Sequence, residues 1–245
     1  MQKKQISNIL GIIKWSIIRH KYLIPAFTII QIVFAVAIVV GLSIFLPELD
    51  ETTTVYLSSG AITLGMIAVG CVLAPQIVSE TKQNGVLKYQ LTLPVPRISI
   101  LLADILIWGA TAIPGIIGSF VAAVLRFGVS PKLSLSGIGV ITIALISLIC
   151  IGFCIAYWLP PNAVPLATQV IMFGGLLFSP IIYPASRLPE WSEYIYKAMP
   201  FVPVSNLIRN IFFQAGSIPI VDTITVIAWG SMAFVLAFIF LEQRQ

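Results

Sequence analysis

The sequence predicts an all-α, polytopic membrane protein of six transmembrane helices. An N-terminal amphipathic interfacial helix precedes them, and a helical re-entrant hairpin lies between the fifth and sixth spans. Three observations carry this reading. Hydrophobic residues make up 58% of the chain and charged residues 9%, where soluble domains carry about 25% charged residues, so most of the surface must meet lipid. The uncharged apolar stretches match the roughly 20 helical residues needed to cross the hydrocarbon. The basic residues cluster outside those stretches. At 245 residues the chain has room for six crossings and short connections, so 1–245 reads as one transmembrane domain.

Residues 1–21 form the interfacial helix. Ile6, Ile9, Leu10, Ile13 and Ile17 recur at helical spacing, with Ser7 and Lys14 to one side, a pattern suited to the membrane surface. The uncharged run Tyr22–Leu46 is the first span. A basic start before an apolar run also has the form of a secretion signal, and Ala35-Val36-Ala37 offers a cleavage-like tripeptide. Cleavage there would discard half a span, so an uncleaved helix is expected. Thr52–Ser79 holds the second span, which places spans one and two in 22–79.

Residues 80–99 are expected to be a cytoplasmic connecting segment, and 100–183 to hold spans three to five. The third is uncharged over Ile105–Leu125 and begins near Ser99. Leu133–Ser186 is too long for one helix, and Pro160-Pro161-Asn162 divides it, since two prolines remove two backbone donors and force a turn. Residues 184–217 mix Leu188, Trp191, Ile195, Phe201, Val204, Leu207, Ile208 and Phe212 with charges and prolines. This predicts two short amphipathic helices, roughly Glu190–Lys197 and Val204–Phe213, broken at Pro200 and Pro203. Irregular backbone at that depth must be sheltered by protein. Thr223–Leu241 is the sixth span, within 218–245.

Charge placement orients the chain. Lys3, Lys4, Lys14, Arg19, Lys21, Lys82, Lys88, Arg97 and Arg244 fall on one side, and Arg126, Lys132, Arg187, Lys197 and Arg209 on the other. The richer side is cytoplasmic by the positive-inside rule, so both termini are expected to face the cytoplasm of a cytoplasmic-membrane protein. The net charge of +5 is thus an orienting signal toward membrane lipids, and no nucleic acid is expected as a partner. Cys71, Cys150 and Cys154 lie in apolar runs and read as small apolar residues. No metal-binding, paired-carboxylate or Ser-His-Asp constellation appears, and no Gly-x-x-x-x-Gly-Lys-[Ser/Thr] phosphate cradle. The chain is therefore not expected to be an enzyme, nor to bind a cofactor itself.

Within the spans, Gln31, Gln169, Phe173 and Phe178 are the candidate lining of a substrate cavity; for the two glutamines, helix–helix hydrogen bonding is the competing role. Asp104 lies two helical turns past Arg97, where it pairs with a base at the inner gate, binds a cationic substrate, or sits at headgroup level. Gly118 with Ala122, and Gly174-Gly175, offer small residues for close packing. His20 reads as a headgroup-level surface residue.

The connection at 80–99 has the properties of a force-transmitting element. It joins two spans directly; Gly85 allows a helix start, Val86, Leu87, Tyr89 and Leu91 offer apolar contacts to a partner, and Pro94 and Pro96 stiffen the return. The stretch from Glu80 through Gly85-Val86-Leu87 and Leu91-Thr92-Leu93-Pro94-Val95-Pro96-Arg97 resembles the second-to-third-span loop of the type-two ABC exporter permeases. Pro180-Ile181-Ile182-Tyr183-Pro184, then Leu188-Pro189-Glu190-Trp191, Met199-Pro200 and Arg209, are similar to that family's segment between the last two spans. Val86 stands where threonine is frequent, and Phe201-Val202-Pro203 replaces Leu-Thr-Tyr after the proline.

The resemblance implies a dimer, formed with a second copy or a paralogue, and a separate ABC ATPase subunit that carries ATP and Mg. It implies a coupling role for Glu80, Gly85, Val86, Leu87, Tyr89, Leu91 and Arg97, within a coupling helix over Glu80–Leu91. It also implies a re-entrant gate at Tyr183, Pro184, Leu188, Pro189, Trp191, Pro200 and Arg209. The function implied is export of a hydrophobic or amphipathic compound such as a drug, lipid or peptide. The rival readings are an energy-independent secondary transporter, a membrane enzyme, and a membrane scaffold or sensor.

Overall fold

The computed structural model describes residues 2–45, 50–132, 134–184, 189, 191, 196, 199–214 and 218–243, with side chains left aside at 2–10, 42, 45 and 176–178. The described secondary structure is helical throughout. In order it comprises α1 (Gln2–Arg19), α2 (Leu23–Phe45), α3 (Glu51–Ile67), a π-helical stretch (Ala68–Leu73), α4 (Ala74–Gln83), α5 (Val86–Thr92), α6 (Arg97–Phe127), α7 (Leu135–Trp158), α8 (Val164–Phe178), α9 (Phe201–Ile208), a second π-helical stretch (Arg209–Phe213) and α10 (Ile220–Glu242).

Among the described residues, five helices are long and apolar enough to cross a membrane: Leu23–Gly41, Glu51–Gln83, Arg97–Phe127, Leu135–Trp158 and Ile220–Glu242. This is a multi-pass membrane protein. At 15 residues, α8 is about 22 Å long against about 30 Å of hydrocarbon, and falls short of that set.

The second span is the axis. In its apolar window 78% of residues are buried, against 17% in the first span. Asp50 starts it by accepting from the Thr53 amide at 3.0 Å, the usual way an aspartate satisfies a free helix N–H. Midway the helix widens to a π turn just before Pro75, which has no N–H to give and whose ring would crowd a regular turn. The same stretch receives α7 at very close range. A Cβ on Gly70 would lie 2.9 Å from the Leu148 backbone carbon, and one on Gly152 would fall on the Gly70 carbonyl oxygen. Cys71 Sγ reaches the Leu148 carbonyl at 3.4 Å.

The remaining long helices pack outward from this axis, α6 on α3, α2 on α6, and α10 on α7. The expected use of glycines holds only in part. Gly118 rests on Ile32 of α2, but a Cβ at Gly174 or Gly175 meets nothing within 4 Å. The tightest crossing is at Gly70 and Gly152, which the spacing of small residues did not single out.

At the N-terminus the helix is present, with a different inward face. Ile12, Ser16 and His20 turn toward the protein, while Ile17 and Ile18 are exposed. The expected stripe through Ile13 and Ile17 is thus divided, and its outer part stays available to lipid. The expected helix at Glu190–Lys197, with Leu188, lies outside the described residues apart from Trp191 and Tyr196. The helix expected at Val204–Phe213 is present as α9 and its π-helical continuation. Pro203 sits inside its first turn, where a missing N–H breaks no helical bond.

Candidate functional site

The connection between the second and third spans is built by its special residues. α4 stops at Gln83, and Gly85 takes φ +73°, in the left-handed region that glycine enters without strain. That reversal starts α5, whose first bond runs from the Tyr89 amide to the Gly85 carbonyl at 3.1 Å. Leu93 turns extended after Thr92, Pro94 forbids continuation, and Pro96 precedes the first residue of α6, Arg97. Glu80 belongs to the end of α4, so the separate helix is Val86–Thr92 and not Glu80–Leu91.

The two faces of α5 differ in what they reach. Leu87 and Gln90 are buried, at 4% and 3% exposure, and Leu87 belongs to the main core. Leu91 packs partly against the same core, and Val86 is half-buried. Lys88, Tyr89 and Thr92 face outward, Tyr89 at 58% exposure. Leu87 and Leu91, expected as partner contacts, instead hold α5 to its own chain. The free face is cationic and aromatic. The Tyr89 ring lies 6.5 Å from the Trp15 ring of α1, at the lip of a groove of about 330 Å³ that Ile12, Pro94 and Ile100 also line.

Both arms of this connection are fastened to other helices. Lys82 Nζ donates to the carbonyls of Ala156 (2.5 Å) and Leu159 (2.7 Å) at the end of α7, where a cation also meets the negative end of the helix dipole. Ser79 Oγ donates to Pro161 O at 2.9 Å, and Gln76 Nε2 to Thr168 Oγ1 at 3.1 Å. Beyond α5, Arg97 donates to the Glu242 carbonyl at 2.5 Å and the Leu241 carbonyl at 3.5 Å. A displacement of α5 therefore carries α7 and α8 through one arm and α10 through the other.

His20, expected at headgroup level, is buried at 6% exposure. Its Nδ1 donates to the Ser16 carbonyl at 3.1 Å and its Nε2 accepts from Arg19 at 3.0 Å, which requires the neutral ring. Burial and then the Arg19 charge lower its pKa from 6.5 to about 4, opposed by the Ser16 bond. The folded form refuses a proton that the unfolded chain accepts. Stability is therefore expected to be level above pH 6.5 and to fall as pH drops from about 6.5 to about 4. Thermal midpoints across that range should show this slope in the wild type and lose it in His20→Asn.

At the opposite end of the bundle, Arg209 organises the segment that precedes α10. It is buried at 5% exposure. Its Nη2 donates to the Ile181 carbonyl (3.1 Å) and Ser205 Oγ (2.9 Å), Nη1 to Asn206 Oδ1 (3.0 Å), and Nε to Ser59 Oγ of α3 (3.2 Å). The guanidinium carbon lies 3.7 Å from the centre of the Tyr56 ring. One side chain thus joins α3, the residues after α8, and α9. Of the other expected gate residues, Pro200 is buried, Tyr183 and Pro184 are half-buried, and Pro189 and Trp191 are exposed. Leu188 is outside the described residues.

The expected cavity residues are not brought together within one chain. Gln31 is buried between α2 and α6, where a Cβ on Gly115 would lie 2.8 Å from its Oε1. Gln169 and Phe173 share an exposed face of α8, and the Phe178 side chain is not described. The structure has instead an apolar groove of about 470 Å³ between α6 and α7, with Gly109, Ala110, Ile113, Thr142 and Ile146 along it and Phe212 at one end. Sequence patterning missed it because its lining alternates between two helices, neither of which carries a distinctive polar residue there.

Long apolar helices around a buried axial span, joined by a short connecting helix, make the frame of a multi-pass membrane protein. The family model for the ABC-2 type transporter matches residues 8–213, from within α1 to the end of the second π-helical stretch. The chain belongs to the ABC-2 type transporter family and is a membrane permease of an ABC transporter. No curated protein matches it.

Proposed function

We propose that the chain is the permease subunit of an ATP-driven exporter that moves a hydrophobic or amphipathic compound, such as a drug, lipid or peptide, out across the cytoplasmic membrane. A separate ABC ATPase supplies the energy, binding ATP and Mg itself, and a second copy or a paralogue completes a dimer. The end of the bundle that carries α5 faces the cytoplasm, with both termini. On this reading α8, with the apolar residues after it as far as Tyr183, makes the fifth of six crossings. The hairpin containing α9 enters the outer leaflet and returns.

The observation that carries the proposal is the outward face of α5. It is short, begun by a fixed glycine and stopped by prolines, and fastened through both arms to α7, α8 and α10. A push on Lys88, Tyr89 and Thr92 cannot be absorbed locally. The mostly apolar groove between α6 and α7 supports an apolar cargo over a sugar or an ion.

The test is Tyr89→Ala combined with Lys88→Glu, which alters only the exposed face. Removing a central aromatic contact costs about 2 kcal/mol or more, so recovery of the ATPase with the purified chain should fall by at least roughly thirtyfold in affinity. The chain itself should keep its thermal midpoint. Unchanged recovery of the ATPase, with unchanged nucleotide-dependent transport, would overturn the reading and favour an energy-independent transporter or a scaffold.

A further inference from the structure

The corner where α1 turns into α2 holds a charged cluster that the α5 site does not use. α1 and α6 run side by side in matching register. Ile12 packs with Ile100 and Ala103, and two turns further along both helices the His20 ring lies 5.9 Å from the Trp108 ring. Between those contacts both sequences advance equally, which brings Ser16 level with Asp104 and puts Arg19 within a turn of it.

Arg19 is held away from any carboxylate. Its Nη2 and Nε donate to His20 Nε2 at 3.0 and 3.3 Å, and its guanidinium carbon lies 4.8 Å from the centre of the Trp15 ring. Its Nη1 is buried without a hydrogen-bond partner among the described residues. Asp104 likewise accepts no hydrogen bond from a described residue. Burial lowers the Arg19 pKa, while the charges of Asp104 and then Glu80 raise it, so both carboxylates lie within electrostatic range. Glu80 ends the arm that enters α5, and Asp104 lies early in the helix that leaves it.

A buried guanidinium N–H with no acceptor is rare in native proteins. An acceptor that arrives in a second arrangement accounts for it, and Asp104 stands on the matching stripe. We propose that Arg19 is the moving arm of an ion-pair latch, resting on His20 here and pairing with Asp104 when the seam between α1 and α6 shifts. Arg19 is then a positioning residue that gives the surface helix and the third span two discrete alignments. The transport reading supplies the driving force, a displacement of α5 relayed into α6; the latch itself rests on the α1–α6 seam.

Spin labels at Lys14→Cys and Ile98→Cys, both exposed, report the alignment of α1 with α6. They are measured in the full-length chain in lipid nanodiscs with the ATPase that purifies with it, with and without ATP and vanadate. Two distance populations are expected in the wild type and in Asp104→Glu. Asp104→Asn and Arg19→Gln should each lose the same one. A single population in the wild type, or two that persist in Asp104→Asn, would overturn the latch. Loss of one population in Asp104→Asn from a chain that binds no ATPase would support the latch and count against the transport reading instead.

Discussion

Replacing Arg209 by leucine is expected to destabilise the folded chain by about 3–5 kcal/mol, the range for removing one partner from a buried charged network. Leucine fills much of the space but leaves the Ile181 carbonyl with only the longer Ser205 contact at 3.4 Å. It also leaves Asn206 Oδ1 without its donor and removes the cation from the face of Tyr56. Hydrogen bonds from a charged donor contribute about 1.5–3 kcal/mol each where they are well made, so the loss is not distributed among trivial contacts. Lysine should recover only part of it, because a single ammonium cannot span acceptors on three segments. The measurement is thermal unfolding in detergent, where the midpoint should fall by roughly 10 °C and the segment around α9 should become protease-sensitive before the rest. A midpoint within about 2 °C of wild type would mean that α9 and its π-helical continuation are held by apolar packing, such as Phe212 against Phe120 at 5.2 Å, and that the arginine is incidental.

Much of this arrangement was legible in the sequence because it is written in composition and in residues with one physical use. Uncharged runs gave the long helices to within a few residues. Gly85 and the Pro94–Pro96 pair flank the short helix in the connection, since a positive φ and a missing N–H have few alternatives, although its start was expected at Glu80 and lies at Val86. The Pro160-Pro161-Asn162 turn was equally plain.

What stayed hidden depends on which face of a helix turns inward, and an apolar helix in lipid has no polar face to reveal that. Leu87 and Tyr89 look alike as apolar contacts in the sequence, yet one is core and the other exposed. His20 looked like a surface residue because its neighbours are charged, whereas its ring is enclosed by Ser16, Arg19 and Trp108. Arg209 was expected in the segment between the last two spans, but nothing in the spacing shows that its acceptors come from positions as distant as Ser59. The expected cavity residues are separated within one chain for the same reason. Gln31, Gln169 and Phe173 were chosen for their chemistry, and nothing in the spacing says that they lie on different sides of the bundle.

Gly152 is where a single methyl group is expected to have the largest effect. A Cβ there would lie far inside van der Waals contact of the Gly70 carbonyl oxygen and 3.0 Å from Pro75 Cδ. Neither obstacle is a flexible side chain. Gly70 is in the π-helical stretch and Pro75 in the turn after it, so relief requires moving the axial helix or separating it from α7. Overpacking of side chains costs about 1–3 kcal/mol. A clash with the backbone of Gly70 and the ring of Pro75 belongs to the exceptional class above about 4–5 kcal/mol. Gly152→Ala should therefore leave little folded protein, and Gly152→Val none, as judged by size-exclusion profiles in detergent. Gly174→Ala and Gly175→Ala are the internal contrast, because a Cβ meets nothing within 4 Å at either. Exchanging glycine for alanine inside a helix should leave them equal to wild type or more stable by roughly 0.5–1 kcal/mol. Should Gly152→Ala run as a monodisperse peak with a wild-type midpoint, α7 does not approach the second span this closely. The π turn would then have to be attributed to Pro75 alone.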